Sequence, residues 1–162
     1  MEEVLTKVLQ YECPLVEITG GEPLVQLNTP VLAESFLDAG MRVLVETNGS
    51  YNINKLPRET IRIMDIKCPG SGESRNMDWA NLVRLRPRDQ VKFVLSNEED
   101  YQWAKKIISQ YKLVDKSHIL MSPVIQRLNA SDLADWILRD RLRVRLQLQI
   151  HKLIWINAER GR

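Results

Sequence analysis

The chain is poor in cysteine and histidine. Its 162 residues hold two of each: Cys13, Cys68, His118 and His151. Two thiols imply no disulfide framework and cannot by themselves build a four-thiolate zinc site, so a reducing cytoplasm is the expected setting. No apolar run approaches the roughly 18 residues that a membrane span requires. The acidic start MEEV does not read as a signal peptide. Neither sign of charge dominates: 23 Lys and Arg stand against 21 Asp and Glu, which gives no global pull toward nucleic acid or an anionic membrane. The phosphate-loop spacing G-x-x-x-x-G-K-[ST] and the dinucleotide fingerprint G-x-G-x-x-G are both missing. There is no repeat of 20–50 residues and no linker-like stretch, so 1–162 reads as a single domain.

What is present alternates between two periods. EEVLTKVLQ places Val4, Leu5, Val8 and Leu9 on one helical face. LVEIT (15–19) reads as a strand that runs into Gly20-Gly21. NTPVLAESFLDAG reads as a helix, with Asn28 or Thr29 at its cap, Pro30 in its first turn and Gly40 past its end. RVLVET (42–47), IRIMDIK (61–67), QVKFVLS (90–96) and HILMS (118–122) read as four more strands, the last stopped by Pro123. Ser96 and Glu99 suggest a capping box for a helix carrying Tyr101, Ala104, Ile107, Ile108 and Tyr111. A further helix is expected around 130–140, and RVRLQLQIHKL (143–153) reads as a sixth strand. Strands alternating with helices predict an α/β fold with a parallel sheet, either open and doubly wound or part of a (β/α) barrel. In the sixth strand Arg143, Arg145, Gln147, Gln149 and His151 share one face. That face borders solvent as an edge, or it lines a wet interior.

In such folds ligands sit beyond the carboxyl ends of the strands, and the unusual residues cluster there. Gly20-Gly21 lets backbone approach a ligand, and Glu22 beside them offers acceptors to an ammonium group. Alone, however, GGEP is more often a turn with a solvated glutamate. Asn48-Gly49 alone is a turn. Asp65 and Lys67 at i, i+2 make a salt bridge as readily as a site. A single His151 is more often structural than catalytic. The four tryptophans read as core anchors. The arginines of 139–145 read as a solvated rim that could meet an anionic ligand or partner.

In order along the chain, these segments resemble a known family. VEITGGEPLVQ (16–26) is similar to the glycine-glycine-glutamate motif of radical S-adenosylmethionine enzymes. VETNGS (45–50), MDIKCPGSGE (64–73), VKFVLSNEEDY (91–101), LMSPV (120–124) and LQLQIHK (146–152) resemble one branch, 7-carboxy-7-deazaguanine synthase. The resemblance implies a partial (β/α) barrel of the radical S-adenosylmethionine type. It implies conversion of 6-carboxy-tetrahydropterin to 7-carboxy-7-deazaguanine, a lyase-type ring contraction toward queuosine, a tRNA modification, and other deazapurines. In the family a [4Fe-4S] cluster donates an electron to S-adenosylmethionine and a 5′-deoxyadenosyl radical abstracts hydrogen. Mg2+, a reductant such as flavodoxin or ferredoxin and a homodimer are further family properties. By motif position, Gly20, Gly21 and Glu22 would hold the methionine end of S-adenosylmethionine. Glu46, Asn48, Asp65, Ile66 and Lys67 would line its ribose and adenine region, and Ser122, Pro123 and Val124 would sit under the adenine. Thr19, Gln149, His151 and Lys152 would face the pterin.

One departure accompanies the match. The family holds its cluster with a CxxxCxxC-type motif near the N-terminus. Neither Cys13 nor Cys68 occupies those positions, so no residue here is assigned to metal or catalysis. On this resemblance the matched stretch lacks the first strand, the cluster loop and the element after it, roughly fifty residues by the usual size of such units. Without thiolates a [4Fe-4S] cluster has no ligands, so the 162 residues alone are expected to be catalytically silent, and an exposed inner edge of a parallel sheet predicts poor stability. The alternative expectation is a cluster-free relative that binds a pterin, a purine or S-adenosylmethionine without chemistry.

Overall fold

The computed structural model describes residues 2–72 and 77–155, without the side chains of His151 and Leu153. Twelve regular elements follow one another: α1 (Glu2–Leu9), β1 (Leu15–Ile18), α2 (Thr29–Asp38), β2 (Arg42–Thr47), β3 (Ile61–Lys67), α3 (Asn81–Arg84), β4 (Gln90–Leu95), α4 (Glu98–Gln110), β5 (His118–Pro123), α5 (Ala130–Arg139), β6 (Arg145–Leu146) and α6 (Ile150–Ile154). All six strands are parallel and stand in the order β1-β2-β3-β4-β5-β6. A doubly wound sheet reverses its strand order at a switch point. This one never reverses, so each connection steps the same way and β1 and β6 form the two edges. The result is an open, partial barrel.

A right-handed crossover repeated in one direction puts the helices on one face. There Val43, Val45, Ile66, Phe93, Leu95 and Met121 pack with Phe36 of α2, Tyr101, Ala104 and Ile108 of α4, and Leu133 and Ile137 of α5 in one continuous core. The alternating residues, among them Glu46, Lys92 and Ser122, point to the other, concave face. The two tryptophans on helices, Trp103 and Trp136, are partly buried against this core, whereas Trp79 and Trp155 lie outside it with 36% and 41% of their surface exposed. Trp79 instead stacks on Tyr111, with ring centres 5.6 Å apart.

Three expectations are corrected. The strand proposed for 143–153 pairs with β5 only at Arg145 and Leu146, after which the chain turns into α6. The cap of α4 is Asn97, whose side chain accepts from the Asp100 amide at 2.9 Å, not a Ser96–Glu99 box. Pro123 does not stop β5 but belongs to it, in register with Leu95.

The amino end of the sheet is tied by one buried carboxylate. Asp89 is fully buried and accepts from the Arg62 amide at 3.1 Å, the Arg86 amide at 2.9 Å, and both Nε and Nη2 of Arg86 at 3.0 Å. Its own carbonyl accepts from the His118 amide at 3.1 Å, so one residue joins the starts of β3, β4 and β5. Removing one partner of such a cluster strands the others without solvent. Asp89→Ala is therefore expected to cost about 3–5 kcal/mol in equilibrium denaturation. Asp89→Asn, which keeps two of the roles, should cost less. Equal midpoints for all three proteins would contradict this assignment.

Candidate functional site

The concave face opens into a cavity of about 760 Å³ that runs from Gln90 at the start of β4 past Leu44, Ile63 and Leu120 to the carboxyl ends of the strands. Its wall includes Thr19 and Gly20 after β1, Glu46 of β2, Lys92 of β4, Ser122 of β5, and Gln147 to Ile150 after β6. The polar face expected of a long sixth strand is thus divided. Gln147 and Gln149 line this cavity, while Arg143 and Arg145 lie at the opposite end of the sheet. β6 is an edge strand and its continuation also lines a polar interior, so both readings of that face hold for different residues.

The loops around the cavity are joined to one another. Both oxygens of Glu22 are engaged: Oε1 accepts from the Leu24 amide at 3.0 Å and Oε2 from the Asn48 amide at 2.7 Å. The Thr47 hydroxyl donates to the same carboxylate, at 2.8 and 2.9 Å from its two oxygens. Glu22 therefore fastens the loop after β1 to the end of β2. The loop after β2 is held in turn by Asn81 of α3, whose Nδ2 donates to the carbonyls of Gly49 at 2.9 Å and Tyr51 at 2.8 Å. The loop after β3 is held by Asp100 of α4, which accepts from the Gly70 amide at 2.8 Å and the Ser96 amide at 3.0 Å. Gly70 is required for that approach, because a Cβ there would lie 2.7 Å from an Asp100 oxygen.

Charge in the cavity is mostly paired. Lys92 Nζ meets Glu46 at 2.8 Å, and Lys67 Nζ meets Asp65 at 2.6 Å on the same strand face. Glu17 also lines the wall. Partial desolvation, with the neighbouring Glu46, holds its carboxyl above its ordinary pKa against the pull of Lys92. Among the described residues five buried side-chain polar atoms have no protein partner, and three of them lie at or beside this hollow: Asp65 Oδ1, Ser122 Oγ and Gln149 Oε1. Ser122 and Gln149 line the cavity, and Asp65 shares a strand face with Ile63, which lines it too. Orphaned acceptors and a hydroxyl at the edge of a polar hollow are ready hydrogen-bonding positions for a ligand or water.

The expected residues are brought together in part, with differences in kind. Thr19, Gly20, Glu46, Ser122 and Gln149 line the cavity. Gly21 is exposed beside it, and Glu22 acts on the loops as described. Asn48 turns its Oδ1 back onto the Ser50 amide at 2.9 Å. Ile66 is buried in the core on the helix side, so at a ligand it has only backbone to offer. Pro123 is buried and Val124 half-buried at the end of β5. Lys152 is exposed on α6, and the side chain of His151 lies outside the described residues. Lys92, Glu17, Asn81 and Asp100 were not anticipated. Lys92 had a visible signal, as a charged residue in the middle of an inner strand, QVKFVL, that is otherwise mostly apolar.

The chain is similar to proteins of one activity class over nearly all its length. It is 40% identical over 164 residues to the 7-carboxy-7-deazaguanine synthase of Chlorobaculum tepidum, covering 99% of this chain and 74% of that protein. It is 39% identical over 161 residues to the synthase of Koribacter versatilis, covering 91% and 71%. The chain belongs to the 7-carboxy-7-deazaguanine synthase family. No family model matches it. The crystal structure of QueE from Escherichia coli shares its fold, with a TM-score of 0.67 at 17% identity over 90% of this chain and 62% of that one.

The groups that this family implies fit unequally. S-adenosylmethionine is a polar, nucleoside-bearing molecule, and the cavity with its unpartnered Ser122, Asp65 and Gln149 atoms suits it. A [4Fe-4S] cluster needs several converging thiolates. The two cysteines of the chain lie apart from the cavity, Cys13 exposed ahead of β1 and Cys68 fully buried. Burial, with Asp100 and Asp65 adding their charge, pushes the Cys68 thiol far up, away from the thiolate form. No group of three or more His, Cys, Asp and Glu suited to a metal occurs among the described residues. Neither the cluster nor Mg2+ fits the described side chains. This chemistry predicts that iodoacetamide labels Cys13 in the folded protein, with Cys68 reacting only on unfolding, as mass spectrometry of the peptides would show. Equal labelling of both under native conditions would refute the burial argument.

Proposed function

We propose that the chain, as one partial-barrel domain over 1–162, serves the reaction of its family, the conversion of 6-carboxy-tetrahydropterin to 7-carboxy-7-deazaguanine. The observation that carries this is the coincidence of two facts. Five residues placed by motif in the cofactor and substrate regions, Thr19, Gly20, Glu46, Ser122 and Gln149, line one polar cavity, and the chain is about 40% identical to synthases along almost its whole length. The remaining features follow from the same family reading: a carbon–nitrogen lyase step within queuosine and 7-deazaguanine biosynthesis, a flavodoxin- or ferredoxin-type reductant, a homodimer and a cytoplasmic setting. The [4Fe-4S] cluster and Mg2+ of the family are assigned to no described residue here, and no step is derived through them.

In this reading Gly20 and Gly21 admit the methionine end of S-adenosylmethionine without a Cβ in the way. Glu22 keeps the loop in register while its remaining lone pair meets the ammonium group. Glu46, held by Lys92, is a pre-oriented acceptor for ribose hydroxyls. Asn48, the strand from Asp65 through Ile66 to Lys67, and the Ser122 to Val124 turn frame the adenine. Thr19 and Gln149 face the pterin, and His151 and Lys152 are assigned to it by motif position alone. S-adenosylmethionine would supply the hydrogen abstraction that starts the ring contraction only with an electron from the family's reductant, a step assigned to no residue here. The chain's part is to bind and orient the two ligands.

Binding separates this reading from turnover. The chain is expected to bind S-adenosylmethionine in a calorimetric titration. Glu46→Gln is expected to weaken it about tenfold, the worth of one charge-assisted hydrogen bond. No detectable binding, or equal binding by Glu46→Gln, would overturn the assignment of the cavity.

A further inference from the structure

A second concave site lies at the other end of the sheet, beneath the amino ends of β4, β5 and β6. It is a cleft of about 390 Å³, within the range that holds small organic ligands. Four cationic or protonatable side chains line it: Lys116 and His118 at the start of β5, and Arg143 and Arg145 at β6. Asp115 is the one acid in its lining. None of the seven ion pairs among the described residues reaches any of these five side chains. The two linings share no residue, although Gln90 of the first cavity is in register with His118 of this cleft.

The arrangement has a chemical bias. Arg143 and Arg145 both line the cleft on either side of Val144, with a tight turn at Arg143 where the Val144 amide donates to the Leu142 carbonyl at 3.0 Å. Two planar guanidinium forks so placed can each take two oxygens of neighbouring tetrahedral anions, which a single ammonium cannot do. The apolar side chains of Val114 and Ile119 form part of the wall. Low-dielectric walls around unpaired cations concentrate their field on whatever enters, and they also give a flat ring something to lie against.

We propose that this cleft binds an organophosphate of nucleotide size, with its phosphates on Arg143, Arg145 and Lys116, at a site separate from the S-adenosylmethionine cavity. Nothing in the family reading uses these residues, and the proposal stands whether or not the synthase assignment does.

The test is a titration of the whole chain at about 50 mM salt, where exposed charges are only partly screened. Adenosine triphosphate, inorganic tripolyphosphate and a short single-stranded oligonucleotide serve as probes. One-to-one saturable binding of the nucleotide is expected, with weaker binding of tripolyphosphate. The double substitution Arg143→Gln with Arg145→Gln should lower the nucleotide affinity at least tenfold. The Arg143→Lys, Arg145→Lys pair should lose an intermediate amount, because it keeps charge but not the fork. Both positions are exposed, and unchanged circular dichroism melts would show that the variants stay folded. Non-saturable binding, an affinity indifferent to the double substitution, or displacement of the nucleotide by S-adenosylhomocysteine would overturn the proposal. So would tight binding of the oligonucleotide alone, which would mark an extended surface for nucleic acid in place of a cleft for a small phosphate.

Discussion

The carboxylate of Glu22 is the contact on which the ligand-binding end of this fold depends. It receives the amides of Leu24 and Asn48 and the hydroxyl of Thr47, and so welds the turn after β1 to the end of β2. A parallel sheet leaves the loops beyond its strands without partners of their own, since backbone pairing ends with the strands. Here each loop is secured by a side chain from elsewhere: Glu22 for the first pair, Asn81 for the loop after β2, Asp100 for the loop after β3. Such loops carry function only when a rigid scaffold positions them. Hydrogen bonds to a charged group are worth about 1.5–3 kcal/mol each, enough to select one loop arrangement from many.

The sheet separates two tasks by its two faces. The helix-covered face holds the continuous apolar core. The concave face is spared helices because the strand order never reverses, and it carries Glu46, Lys92 and Ser122 in its place. A paired Glu46 and Lys92 keep the hollow polar without leaving a bare charge in it. The unpartnered atoms of Ser122, Asp65 and Gln149 mark where the protein has left hydrogen bonding for something else to complete. The same division along the strands puts the glutamines of the final segment at one end and its arginines at the other.

Local pattern carried much of this architecture. RVLVET and IRIMDIK are strands over the expected residues, and Gly40 ends α2 in a left-handed conformation at φ 78°, as its position implied. The motif residues Thr19, Gly20, Glu46, Ser122 and Gln149 converge although they come from four separate parts of the chain. What local pattern did not carry depends on distance. Asp89 serves Arg62 across 27 residues, Asn81 serves Ile53 across 28, and Asp100 serves Gly70 across 30, and no periodicity announces such a pair. The segment 143–153 failed for another reason. Its alternation satisfies a strand, but the pairing with β5 extends only as far as the Gln147 amide, which donates to the Met121 carbonyl at 2.9 Å. Beyond that, short-range bonds from Ile150 to Leu148 and from Lys152 to Gln149 turn the chain into a helix.

Hydrogen exchange at the Asn48 amide tests the central role of Glu22 most directly. It is measured in the parent chain and in Glu22→Ala, with and without S-adenosylmethionine. The amide is expected to exchange slowly in the parent and more slowly still with ligand, and to exchange fast and without regard to ligand in Glu22→Ala, while the β4 amides stay protected in both. Equal protection of Asn48 in the variant, or equal slowing by the ligand, would show that the loops are held, and the ligand is bound, by something other than this carboxylate.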